Sequence, residues 1–219
     1  MSRRAPAWYL DLYFAAGAGV LALAIWVFSQ LVEDVLDRDP LVRRDAAVAA
    51  WVHAQTTPGG VRFFSVLSQL GSATVTWIVA AVGVSVLRRR RILLTAWAAA
   101  FVGAALLEQV LKRVVQRTRP PAEIAYVESE SYSFPSGHAL KGLVCYSMLA
   151  FVVTRLAELR GARRAAAYTA AATLIAAIGW SRIYLGAHYP SDVFAAFTVG
   201  VAWLAICFLG IRLGERRGR

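Results

Sequence analysis

Six stretches of this chain are apolar over lengths close to the roughly 20 residues that an α-helix needs to cross a hydrocarbon core about 30 Å thick. They run from Trp8 to Val32, Val61 to Leu87, Ile92 to Lys112, Gly137 to Leu159, Ala165 to Leu185 and Asp192 to Leu213. In lipid every backbone N–H and C=O must be paired inside the chain, so such stretches are expected as helices. Of the 219 residues, 58% are hydrophobic and 17% charged, against roughly 45–50% and about 25% in an ordinary soluble domain. A water-exposed globule is disfavoured, and intrinsic disorder, which needs low hydrophobicity, is excluded. The expectation is an all-α, polytopic bundle of six transmembrane helices, forming one domain over residues 1–219. The first stretch follows Arg3 and Arg4 but is too long for a signal peptide and has no small-residue cleavage site after it, so it reads as an uncleaved signal-anchor.

The formal net charge of +11 is placed unevenly. One set of loops collects Arg3, Arg4, Arg88 to Arg91, Arg155, Arg160, Arg163, Arg164, Arg212, Arg216, Arg217 and Arg219, against the acids Glu158 and Glu215. The positive-inside rule makes that side cytoplasmic, with both termini on it. The other side carries Glu33, Asp34, Asp37, Asp39, Asp45, Glu123, Glu128, Glu130 and Asp192. The Arg88–Arg91 run is then a topology signal rather than a nucleic-acid patch, and no nucleic-acid partner is expected. Between the first two stretches, Asp39-Pro40 suits a helix start as N-cap and N1. Leu41, Val48, Trp51 and Val52 would share one face of a short helix lying on the outer surface. Cys145 and Cys207 lie inside apolar stretches without a CxxC pattern and read as small buried side chains.

Cations also occur on the acidic side, where the topology rule does not ask for them. Lys112, Arg113, Arg117 and Arg119 cluster after the third stretch, and Arg182 ends the fifth. Lys112 and Arg119 are two helical turns apart, and Glu108 lies one turn before Lys112, at pairing distance. Pro120 and Pro121 stop the helix and push Arg119 toward an extended conformation. A lysine point charge and a planar arginine fork at a helix end suit phosphoryl oxygens.

Two further elements sit at the same end. Pro135-Ser136-Gly137-His138 opens the fourth stretch, and a helix N-terminus offers free N–H groups to an anion. There Gly137 would let a ligand approach the backbone, Ser136 would add a hydroxyl and His138 an imidazole. Ser181-Arg182 is followed, after five residues, by His188 and, after three more, by Asp192. Gly186 and Pro190 place His188 in a tight turn, Ser191 is a candidate cap for the sixth helix, and Asp192 falls in its first turn. A carboxylate beside a histidine can hold one ring nitrogen and leave the other as nucleophile or base. The third histidine, His53, is assigned no role.

These motifs resemble the tripartite signature of the type-2 phosphatidic acid phosphatase superfamily of membrane lipid phosphatases, K-x6-RP, PSGH and SR-x5-H-x3-D. The matching positions are Lys112 to Arg119-Pro120, Pro135 to His138, and Ser181-Arg182 to His188 and Asp192. The resemblance implies that His188 is the nucleophile that becomes a phosphohistidine and that Asp192 orients it. His138 would be the acid, then base, of the two half-reactions, and Lys112, Arg119, Ser136, Gly137 and Arg182 would bind the phosphoryl oxygens. It also implies no metal and no cofactor, and a lipid phosphate or pyrophosphate as substrate on the extracytoplasmic face: undecaprenyl pyrophosphate, phosphatidylglycerophosphate, phosphatidic acid or a lipid A phosphate. A lipid phosphotransferase and a non-enzymatic lipid transporter or scramblase are the alternatives. Lys141, one turn after His138, either faces the same cavity, pairs with Glu108 or snorkels. Asp11 is a packing or partner residue of the first stretch, and Tyr126, Tyr132 and Phe134 are candidate entrance residues.

Overall fold

The computed structural model describes residues 7–37, 40–127 and 131–217, with side chains at 12, 14–37, 40–127 and 131–216. Arg3, Arg4, Asp39, Glu128, Glu130, Arg219 and the side chains of Asp11 and Arg217 lie outside the described residues. The described residues form α1 (Ala7–Leu36), α2 (Pro40–Ala54), α3 (Pro58–Gln69), α4 (Ala73–Leu87), α5 (Arg91–Val115), α6 (Gly137–Leu156), α7 (Gly161–Tyr184) and α8 (Pro190–Arg217), with a 3-10 turn at Ala122–Ile124.

The second apolar stretch is not one helix. It breaks at Leu70-Gly71-Ser72, where the Ser72 hydroxyl caps α4 by accepting from Val75 N at 3.3 Å. α3 has its own start, with Pro58 in its first turn and Thr57 Oγ1 accepting from Gly60 N. The break is a packing device. A Cβ at Gly71 would lie 2.6 Å from Ile178 and 2.9 Å from the carbonyl oxygen of His138, so only glycine lets the chain pass so close to the first turn of α6. The third stretch runs past Lys112 to Val115, and Gln116 at φ 49 closes it by donating to the Lys112 carbonyl. The helix therefore stops before the prolines, and Arg119 lies on a non-helical segment rather than two turns along one face.

Among the described residues, Phe14–Leu36, Pro58–Leu87, Arg91–Val115, Gly137–Leu156 and Pro190–Arg216 are long and apolar enough to cross a membrane. The stretch expected as the fifth span, α7, is not in that set. Its 24 residues reach about 36 Å, but they are alanine-rich and include Arg163, Arg164 and Arg182. Packing against α6 and α3 holds it in place.

α5, α6 and α8 pack mutually, α4 lies on α5, and α1 runs along α8. The direction of α1 is opposite to that of α8: Phe14 meets Arg216, Gly17 meets Leu209, and Val35 joins Ala195 in one buried cluster. The main core gathers Leu87, Trp97, Phe101, Leu140, Val144, Met148 and Ile211. Trp97 and Trp203 satisfy their indole N–H groups on the carbonyls of Ala80 and Ala100, at 3.0 and 3.1 Å, as buried tryptophan requires.

α2 forms as expected, and the face it packs on the protein carries an acid. Asp45, Ala49 and Val52 are buried, while Val48 and Trp51 are exposed. The reason is electrostatic: Asp45 is drawn in by a buried arginine of the site described next.

Candidate active site

The C-terminal ends of α5 and α7 and the N-terminal ends of α6 and α8 meet at one end of the bundle. Arg88–Arg91, Arg155, Arg160, Arg163, Arg164, Arg212 and Arg216 belong to the opposite end. Two backbone bonds stitch the connecting loops together at the site, Ser133 N to Arg117 O at 2.8 Å and Ser136 N to Asp192 O at 3.0 Å.

α8 begins at Pro190, two residues earlier than a Ser191 cap would place it. Asp192 reaches back to accept the Tyr189 N–H at 2.9 Å, the carboxylate half of a capping box. Its Oδ2 also accepts from the Ser133 hydroxyl and faces His188 Nδ1 at 3.5 Å. Its Oδ1 accepts from Arg117 at 2.6 Å. The carboxylate, fully buried, is thus held on both oxygens.

Arg117 is the central cation of this network. It donates to Asp45 Oδ2 at 2.8 Å, to the Ser191 hydroxyl at 2.7 Å and to Asp192, and it lies 4.4 Å over the Tyr189 ring. Ser191 in turn donates to Asp45 through its hydroxyl and its backbone N–H. Burial pulls down the pKa of Arg117, yet the charges of Asp192 and Asp45 outweigh it and hold the guanidinium above its ordinary value.

His188 is 2% exposed. Its Nδ1 side faces Asp192 and Ser133, and its Nε2 lies 3.3 Å from Arg119. The tautomer with the proton on Nδ1 satisfies the carboxylate and leaves an Nε2 lone pair among the cations. Burial pushes the pKa of His188 down to about 4; Asp192 works the other way, and Arg119 and Arg182 add to the depression. The sign is therefore that of a group kept neutral on folding. Below the ordinary value of 6.5 the unfolded chain takes up a proton that the folded chain refuses, so this contribution to stability is lost as pH falls from 6.5 toward 4. The expected outcome of a 15N-histidine NMR titration in detergent is a neutral His188 ring down to about pH 4, with the resonance identified by its loss in His188→Ala.

Arg119 bridges the loop strands, donating to the carbonyls of Ser131 and Ala187 at 2.7 Å each. Lys112 and Arg119 both donate to the Ser131 hydroxyl at 3.1 Å. Arg182 is buried, donates to the Ser68 hydroxyl, and has an Nε without a partner among the described residues. The Ser136 hydroxyl is buried and also without a partner there; it does not cap its own helix. His138, in the first turn of α6, lies within electrostatic reach of Arg182, Lys141, His188 and Lys112. Gly137 is tightly approached, by Glu108 of α5: an added Cβ would fall 1.9 Å from its Oε1. All eight residues singled out by the motifs therefore come to one end of the bundle.

Four participants had weaker signals. Arg117 was legible only as one more cation, although its place two residues before Arg119 on an extended segment is informative. Asp45 shares a helix face with Ala49 and Val52, an acid on an otherwise apolar stripe. Ser133 and Ser68 carry no signal beyond composition. Of the aromatic residues in the 121–134 loop, Phe134 is fully buried against Phe28 rather than at an entrance. Tyr126 stacks on His53 and hydrogen-bonds Thr56, and Tyr132 is exposed.

Known proteins bear on this arrangement. Over 154 residues the chain is 36% identical to the decaprenylphosphoryl-5-phosphoribose phosphatase of Mycobacterium tuberculosis, covering 68% of this chain and 79% of that one. It is 32% identical over 96 residues to phosphatidylglycerophosphatase B of Bacillus subtilis, spanning 44% of this chain and less than half, 47%, of the relative. An undecaprenyl-diphosphatase of Sulfolobus acidocaldarius matches at 28% over 67% of each chain. In fold the chain is similar to the crystal structure of a transmembrane PAP2-type phosphatidylglycerolphosphate phosphatase from Bacillus subtilis, with TM-score 0.75, 23% identity, and coverage of 90% and 96%. The all-helical architecture, several apolar spans and these relatives describe a multi-pass membrane protein. The model of the PAP2 superfamily matches residues 92–213, more than half of the length, and the chain belongs to that superfamily.

Proposed function

We propose that the chain is an integral membrane lipid phosphatase that removes phosphate from a phosphomonoester or pyrophosphate lipid at the extracytoplasmic face. The observation that carries this reading is a buried imidazole held at Nδ1 by Asp192 and Ser133, with its Nε2 turned to Arg119, the first member of a cradle that Arg182, Ser136 and the α6 N-terminus would complete. Two buried polar atoms of that cradle, Arg182 Nε and Ser136 Oγ, have no partner among the described residues, as groups reserved for an incoming anion would not.

In this reading His188 Nε2 attacks phosphorus in line and the departing oxygen takes a proton from His138. His138 then draws a proton from water, which opens the phosphohistidine and releases phosphate. Asp192 holds the ring and stabilises its charge, while Lys112, Arg119, Arg182, Ser136 and Gly137 N–H meet the charge that develops on the phosphoryl oxygens. The whole chain acts as one unit with six spans, α7 included, and with the arginine-rich end and both termini in the cytoplasm. The placement of charge supports that orientation. The chemistry needs no metal or cofactor.

The test is phosphate release from a panel of lipid phosphates by purified protein in detergent, with and without EDTA. Hydrolysis that survives EDTA is expected. Lipid flipping without phosphate release would replace the reading by a transporter, and transfer to a lipid acceptor without free phosphate would replace it by a phosphotransferase.

A further inference from the structure

Next to the cradle, and sharing Lys112 with it, lies a set of charges of which the proposed reaction leaves Glu108 and Lys141 unused. Glu108 of α5 extends its carboxylate between two ammonium groups, with Lys112 Nζ 3.3 Å from Oε1 and Lys141 Nζ on Oε2. The three side chains are only 14–15% exposed. Oε1 also presses on Gly137, the first residue of α6. A carboxylate placed between two lysines and a helix N-terminus occupies the position that a bound anion would choose.

One carboxylate does not balance two ammonium groups, so the set carries a net positive charge at membrane depth. Such charges are costly there and are kept for a purpose. Lys112 already belongs to the cradle through its contact with Ser131, which Arg119 shares. Lys141 is the additional cation. It sits three residues after His138 on the same face of α6, about 4.5 Å further into the bundle. Lys141 thus lies beside the cradle, joined to it through Glu108, whose other oxygen meets Lys112 and Gly137.

We infer that Lys141 is a specificity residue that holds the non-transferred phosphoryl group of a lipid diphosphate, with Glu108 as the counter-ion that this phosphoryl displaces. The inference rests on the phosphatase reading and narrows its substrate. The bond from His188 Nε2 forms to the terminal phosphorus, and the bond from that phosphorus to the bridging oxygen breaks. The electron pair stays on the bridging oxygen, which leaves as lipid monophosphate, protonated by His138 and held by Lys141. Water then releases orthophosphate and restores His188. A phosphomonoester of the same lipid has no second phosphoryl to reach Lys141 and leaves its pairing with Glu108 undisturbed.

The test compares an isoprenyl diphosphate with the isoprenyl monophosphate of the same chain length, as kcat/KM in detergent. The wild type is expected to favour the diphosphate, and in Lys141→Met the diphosphate-to-monophosphate ratio is expected to fall at least tenfold. Lys141→Arg should recover much of that ratio. Independently of any variant, inorganic pyrophosphate should inhibit the wild type more tightly than orthophosphate. Equal losses on both substrates, an unchanged ratio, or no advantage for pyrophosphate over orthophosphate would overturn the role of Lys141 while leaving the phosphatase reading intact. Absence of hydrolysis of either lipid by folded wild type would remove both.

Discussion

Alanine in place of His188 is expected to lower lipid-phosphate turnover by at least about a thousandfold, because a nucleophile acts in concert with its partners and its loss forfeits the whole covalent route. The geometry makes the expectation specific. Nδ1 is committed to Asp192 and Ser133, so Nε2 is the only ring nitrogen that faces Arg119. His188 is buried, so the companion His188→Asn variant checks that the loss is chemical rather than a consequence of an emptied site. Two measurements decide it: phosphate release, and alkaline detergent quenching with labelled substrate. Wild type should trap an acid-labile, alkali-stable phosphoenzyme, and neither variant should. A His188→Ala protein within tenfold of wild type would remove His188 from the mechanism.

Arg117→Met is expected to be the most destabilising single change in the molecule. It leaves Asp45 and Asp192, 3% and 0% exposed, facing one another without a cation. Breaking a buried ion pair by removing one partner costs about 3–5 kcal/mol, and here two carboxylates lose the same partner. For a chain of this size that corresponds to a fall in Tm of roughly 10 °C, readable by thermal unfolding in detergent. Turnover should fall as well, since one carboxylate of the pair will take up a proton and Asp192 is the one that holds His188. Adding Asp45→Asn to Arg117→Met removes one of the stranded charges and should recover part of the lost Tm. A variant with wild-type Tm would mean that the network contributes nothing to the fold.

Both expectations turn on contacts of different legibility. The pairing of His188 with Asp192 spans four residues, and the spacing alone proposes it. The pairing of Arg117 with Asp45 spans 72 residues and joins a loop after α5 to a helix near the start of the chain. α2 itself was legible from Asp-Pro and its apolar residues, but its buried face was not. Hydropathy groups Val48 and Trp51 with Val52, whereas the side packed on the protein is Asp45, Ala49 and Val52, with the acid held by a buried arginine. The second apolar stretch shows the same limit. Its composition suits one continuous span, and the break at Gly71 follows from the close passage of Ile178 and His138, which belong to other helices.

What the sequence by itself determined is therefore what depends on local patterns: long apolar runs that must be helical in lipid, the sorting of arginine to one end, and three motifs whose residues fall at helix ends. These are properties of neighbours along the chain, and they brought all eight motif residues to the same end of the bundle. The tertiary structure decided what depends on distant neighbours. It set Arg117 between two carboxylates, supplied Ser133 to Asp192, drew Asp45 inward, and pressed Glu108 against Gly137 with Lys141 on its other oxygen. The physical reason is that a buried charge takes whichever partner the packed helices bring within about 3 Å, since leaving it unpaired costs more than any local preference.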